Sequence, residues 1–338
     1  MKKLLTLLVL GASSFGVSAQ TSPYMTKSFK ASQIRNLDVK TSGGSITVLG
    51  TNNHEAVVEV YVKSSNGSKL SASEIEERLE DYTLEVRQEG NTLVCFAKNN
   101  SRGWTWKNGL SISFKVYSPE QINTELNTSG GGIKMANLEG DLKFTTSGGG
   151  LDLIGLRGNV RGRTSGGGIK IKDSEDNIDL TTSGGGIEAL NVAGTVRLTT
   201  SGGGISLGNM YGSIRATTSG GSVRVDGVEG ELFTSTSGGS ISLDAIRGSV
   251  KANTSGGGIH ADIAEVGDFL VLHSSGGNID VDMPFNKGMD LDIKGNRVSI
   301  KEYKNFNGSF DKDRVSGTVN GGGVEVKIST SSGNVYIN

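Results

Sequence analysis

Along most of this chain apolar residues alternate with polar ones inside short runs, and the runs themselves recur every 18 residues. Thr-Ser-Gly-Gly begins at Thr128, Thr146, Thr164, Thr182, Thr200, Thr218, Thr236 and Thr254, and a degenerate Ser274-Ser275-Gly276-Gly277 copy follows 20 residues later. With each Thr as position 1, position 6 is Ile133, Leu151, Ile169, Ile187, Ile205, Val223, Ile241 and Ile259. Position 15 is Leu142, Val160, Ile178, Val196, Ile214, Leu232 and Val250, and positions 8 and 17 are mostly apolar too. Each copy thus carries Gly-x-apolar-x-apolar twice, as in Gly131-Gly132-Ile133-Lys134-Met135 and Gly140-Asp141-Leu142-Lys143-Phe144. Alternation at period two predicts strands, the glycines predict the turns between them, and no helical spacing competes.

One such coil cannot stand alone. About five buried apolar side chains, at roughly 1.5–3 kcal/mol each, do not offset the ordering of some 18 residues at about 1–2 kcal/mol each. Burial must be shared with like coils above and below, so the predicted fold is all-β, a parallel β-solenoid of 18-residue coils. Position 11 is often apolar as well (Leu138, Leu156, Val192, Met210, Val228, Ile246), which leaves a third side of the coil open.

The array has flanks. Residues 1–19 read as a signal peptide, 20–127 as a β-rich N-terminal cap, 128–282 as the solenoid and 283–338 as a β C-terminal cap. The N-terminal region holds one early copy at Thr41-Ser42-Gly43-Gly44 and one helix candidate. Ser71 and Ser73 each have Glu three residues on, and Ile75, Leu79 and Tyr82 share a helical face, which predicts a short capped helix over 73–82, placed to cover the open end of the stack. Near the C-terminus, Gly321-Gly322-Gly323-Val324-Glu325-Val326 returns to a rung-like pattern.

Composition adds constraints. Of 338 residues 34% are hydrophobic, 52 are Gly and only 3 are Pro, which suits a chain with a core and excludes a collagen-like or proline-rich rod. With 34 Lys+Arg against 35 Asp+Glu there is no global charge to draw nucleic acid or an acidic membrane. Lys2 and Lys3, the apolar run Leu4 to Leu10 and the small residues Val17-Ser18-Ala19 direct export, with cleavage before Gln20 to a periplasmic, cell-surface or extracellular destination. No later run is long enough for a membrane helix, and no Cys follows the cleavage site to carry a lipid. The single Cys95, in the strand-like run Thr92 to Ala97, reads as a small buried side chain.

The signal peptide, the β-rich lead segment with its short helix and the serial T-S-G-G-G-I-x-I coils together resemble the bacterial putative-adhesin family of exported β-strand-repeat proteins. The resemblance covers nearly the whole mature chain. It implies a non-enzymatic surface protein and carries no catalytic residue across.

The search for chemistry agrees. Calcium-binding β-rolls repeat an Asp in every half-coil, whereas position 7 here reads Lys134, Asp152, Lys170, Glu188, Ser206, Arg224, Ser242, His260. The pairs Asp280/Asp282 and Asp290/Asp292 each share a strand face and read as solvated charges, so no metal or other cofactor is predicted. Polysaccharide lyases and hydrolases use related solenoids, but no coil departs from the repeat with an acid–base cluster, and His54, His260 and His273 are scattered. The Thr column would suit ice or glycan binding only if it faced outward, and strand parity turns it inward, as a ladder bonded from coil to coil.

Two candidate surfaces remain. Position 16 faces outward and reads Lys143, Arg161, Asp179, Arg197, Arg215, Phe233, Lys251, flanked at position 18 by Thr145, Arg163, Thr181, Thr199, Thr217 and Ser235. Coils stack about 4.8 Å apart, so Lys143, Arg161, Arg197, Arg215 and Lys251 form a repelling column that an anionic glycan or an envelope protein would relieve. The second is Trp104-Thr105-Trp106, where two aromatics share one side of an extended segment and offer a sugar platform. The function predicted is adhesin-like presentation of an extended surface, with a periplasmic scaffold for another protein as the alternative.

Overall fold

The computed structural model describes residues 22–100, 109–301 and 305–338. The signal-peptide assignment and the Trp104/Trp106 platform fall outside the described residues. The described residues hold one α-helix, a 3-10 turn at Ala31–Gln33 and two dozen strands, and all these strands join one continuous sheet.

The repeats stack in parallel and in register. Ile133, Leu151, Ile169, Ile187, Ile205, Val223, Ile241, Ile259 and Ile279 lie directly over one another along one wall. Leu142, Val160, Ile178, Val196, Ile214, Leu232, Val250 and Leu270 do the same along the other. Every one of these side chains is buried, so the interior is a set of aliphatic columns shared between coils.

Position 11 makes a third, short side. Position 10 is left-handed in the seven coils from Thr128 to Thr236, at Asn137, Gly155, Asp173, Asn191, Asn209, Gly227 and Ala245, and so is position 13, from Gly140 to Gly248. A left-handed residue resets the in–out alternation, which is how positions 8 and 11, an odd number apart, both point inward. Asn and Asp tolerate this conformation because their short polar side chains bond locally. Here they also bond along the stack, Asn191 donating to Asp173 at 2.8 Å and Asn209 to Asn191 at 3.0 Å.

The Thr column faces inward, and its hydroxyls bond to backbone rather than to one another. Each Oγ1 donates to the position-4 carbonyl of the preceding coil, for example Thr146 to Gly131 at 2.6 Å and Thr200 to Gly185 at 2.7 Å. Each also accepts the N–H of position 4 in its own coil, as Thr200 does from Gly203 at 3.3 Å. The clamp needs a hydroxyl at position 1 and bare backbone at position 4. It continues beyond the regular repeats, from Thr41 to the Ile112 carbonyl and from Thr330 to that of Gly277.

Both ends are built by insertion. The rung Asn36–Thr41 and Ile46–Thr51 is sandwiched between Asn123–Thr128 and Ile133–Thr146 on one side and Thr92–Asn99 and Leu110–Pro119 on the other. At the far end Val324–Thr330 and Val335–Ile337 slide between the Ile259–Ser274 and Ile279–Asp282 rung and an outer rung of Met289–Lys294 and Val298–Ile300. The last rung turn is therefore Thr330-Ser331-Ser332-Gly333, while Gly321 to Gly323 form a left-handed bend before it. Antiparallel strands finish three of the four wall ends: Met25–Lys30 on Glu55–Ser64, Tyr82–Glu89 on Thr92–Asn99, and Phe306–Phe310 on Arg314–Val319. Charges on two of these, Lys27 and Lys30 on the first and Glu85, Arg87 and Glu89 on the second, discourage further edge pairing.

The helix differs from its sequence reading. It spans Ala72–Leu79 with Ser71 as N-cap, and the capping box closes through Glu74, whose carboxylate accepts the Ser71 N–H at 2.7 Å. Tyr82 opens the next strand instead, because its hydroxyl accepts the Leu110 N–H at 2.8 Å and its backbone pairs with Asn99. No helix residue is fully buried; the helix lies beside Tyr82–Glu89, and its Leu79 packs against the core.

Candidate functional site

The stacking that aligns the core also aligns the outside. Lys143, Arg161, Asp179, Arg197, Arg215, Phe233 and Lys251 are successive partners along one wall. All are exposed except Phe233, which is half-buried. Over the six rung steps from Lys143 to Lys251 the row is about 29 Å long at ~4.8 Å per rung. It has defined ends. Below Lys143 the same column holds Glu125 and Asp38, and above Lys251 it holds Val271.

The cations are not equivalent. Lys143 is paired with Asp141 at 2.9 Å, and Lys40, near the acidic end of the column, is 3.0 Å from Asp38. The Asp38 carboxylate, as hydrogen-bond partner, holds the Lys40 ammonium pKa above its ordinary value. Arg161 and Arg197 flank Asp179. The Arg215 guanidinium lies over the Phe233 ring, 4.9 Å from its centroid, and Phe233 leans on Phe269 at 5.9 Å. Phe269 comes from the irregular coil whose strand is bulged against its neighbour, so the repeat spacing does not place it beside Phe233.

On the position-7 column two charge pairs are neutralised between rungs. Position 7 lines a trough of about 950 Å³ running from Ser45 to Ser242 over a floor that includes the position-5 residues. There Lys134 meets Asp152 at 3.0 Å and Lys170 meets Glu188 at 3.2 Å. Sequence reading missed a position-9 column in which Asp226 lies opposite Asp244 and Asp262 opposite Asp282. Of the earlier Asp pairs, Asp280 accepts from Asn338 and Asp292 pairs with Arg314 at 3.0 Å. Among the described residues no cluster of three or more His, Cys, Asp or Glu side chains is arranged to hold a metal ion.

The three His are in separate places: His54 in a turn, His260 opposite Asp280, and His273 bonded to Ser329 at 2.9 Å. Cys95 is buried, and burial, with the Asp38 charge adding to it, pushes its thiol pKa up to about 12. It is a core thiol at neutral pH, not a nucleophile. Among the described residues no helix is long and apolar enough to cross a membrane.

A three-sided parallel β-solenoid with one register-locked basic row is the class of protein these observations define. The chain belongs to the Toastrack family DUF4097, which matches residues 34–338. That membership agrees with the resemblance carried by the T-S-G-G coils. No curated protein matches the chain. Among solved structures it is similar to one described as a "putative cell adhesion protein from Clostridium sporogenes ATCC 15579", with 11% identity over 93% of this chain and 97% of that one, at a TM-score of 0.18. A superposition that poor equates no strand or side chain of the two proteins.

Proposed function

We propose that this Toastrack solenoid is an exported, non-enzymatic, adhesin-like protein that holds an anionic cell-envelope glycan along the row from Lys143 to Lys251. One observation carries the reading: five exposed cations and a single carboxylate occupy one register-locked line. Cations on adjacent rungs repel, Lys143 beside Arg161 and Arg197 beside Arg215, and a polymer with repeated anions relieves that cost. Each exposed pair is worth only about 0–1 kcal/mol, so affinity comes from summing contacts along one ligand. The hydroxyls of Thr181, Thr199, Thr217 and Ser235, two residues along each rung, supply hydrogen bonds that suit a sugar.

The test replaces Lys143, Arg161, Arg197, Arg215 and Lys251 by Ser. Binding to an acidic polysaccharide should fall at least about tenfold while the melting temperature barely moves, because these side chains face solvent. Wild-type binding should also vanish near 1 M salt, where the screening length is about 3 Å. Retention of wild-type affinity by the five-residue variant sinks the reading.

A further inference from the structure

The row is interrupted once by an aromatic, and the interruption makes a hollow. Phe233 lies between Arg215 and Lys251, and two residues further along the same three rungs stand Thr217, Ser235 and Asn253. Together they line a concavity of about 160 Å³. The Arg215 guanidinium lies over the Phe233 ring, and Phe269 backs that ring. Arg215 stays exposed while the ring shields part of its guanidinium from water, so a carboxylate meeting it is bound more strongly than at a fully solvated cation. On the other side of the hollow the Ser235 hydroxyl donates to that of Thr217 at 3.5 Å, with the Asn253 amide one rung on. Charge on one side, hydroxyl and amide groups on the other and an apolar ring between them suit a ligand that carries all three kinds of surface.

We propose that this hollow is a subsite for one carboxylate-bearing sugar residue: Arg215 and Lys251 take the carboxylate, Thr217, Ser235 and Asn253 take ring hydroxyls, and Phe233 holds Arg215 in place and walls the hollow with apolar surface. The proposal rests on the basic-row reading above and adds to it a chemical preference, for a uronic-acid polymer over a polyanion without sugars. A bare row of charges has no such preference.

Phe233→Lys separates the two, since it adds a sixth cation to the row while destroying the subsite. The probes are an oligogalacturonate and a polyglutamate of matched charge, each titrated against the full chain. In Phe233→Lys, polyglutamate should bind more tightly and oligogalacturonate at least fivefold more weakly. The double variant Ser235→Ala, Asn253→Ala leaves the charge unchanged and should weaken only oligogalacturonate, by a similar factor. Oligogalacturonate binding to Phe233→Lys as tightly as to wild type, or more tightly, overturns the subsite and leaves the basic row standing. Failure of wild type to bind either probe overturns both.

Discussion

Gly185→Ala should cost about 3 kcal/mol or more, whereas Gly184→Ala and Gly186→Ser should each cost under about 1 kcal/mol. The three glycines are consecutive in one turn, and their surroundings differ sharply. A Cβ on Gly185 would sit 2.3 Å from the Gly167 carbonyl oxygen and 2.5 Å from its carbon, both backbone atoms of the coil below. Nothing flexible is there to move, and the same carbonyl accepts the Thr182 hydroxyl at 2.7 Å. A Cβ on Gly184 would meet its nearest neighbour at 3.3 Å, and Ser222 and Ser240 already occupy the place of Gly186 in later coils. The degenerate last rung turn keeps this pattern, with Ser332 at position 3 and Gly333 at position 4. Thermal melts followed by circular dichroism check the ranking; three equal losses would mean that the turns do not stack as closely as described.

Deleting one whole coil, Thr182 to Thr199, should leave a cooperative fold, and deleting only Thr182 to Leu190 should abolish it or split the melt. After the full deletion Thr200 meets the Gly167 carbonyl in place of that of Gly185, Asn209 replaces Asn191 beside Asp173, and the aliphatic columns close up. Each rung contacts only its neighbours, so the loss is one interface among many, a shift of a few degrees at most. The half deletion removes a Thr clamp and lays strand over turn through the following coils. Equal damage from the two would refute the 18-residue rung as the unit of the fold.

The period was legible because every coil faces the same two neighbours, so the same columns must recur in sequence. The third side was not settled by hydrophobicity: position 10 is Asn, Gly, Asp or Ala, residues with little in common except occupancy of the left-handed region here. Insertion of the first and last rungs between others left no trace in spacing, because a long antiparallel excursion separates Thr51 from the rung that follows it in space. The Thr330-Ser331-Ser332-Gly333 turn was overlooked because its third residue is Ser, although the obligatory fourth glycine is present. On the surface, the basic row follows from period and parity alone. The Arg215–Phe233–Phe269 stack does not, since Phe269 belongs to the coil with the bulges and the longer interval.

The central claim is that a periodic row, rather than any single pocket, carries the function, and ligand length tests it most directly. Affinity of the full chain should be measured for a series of acidic oligosaccharides of increasing length at fixed salt. If the row is the site, affinity should climb steadily until the ligand spans about 29 Å, six steps at ~4.8 Å per rung, and then level off. An affinity that is the same for the shortest and the longest oligomer would contradict it.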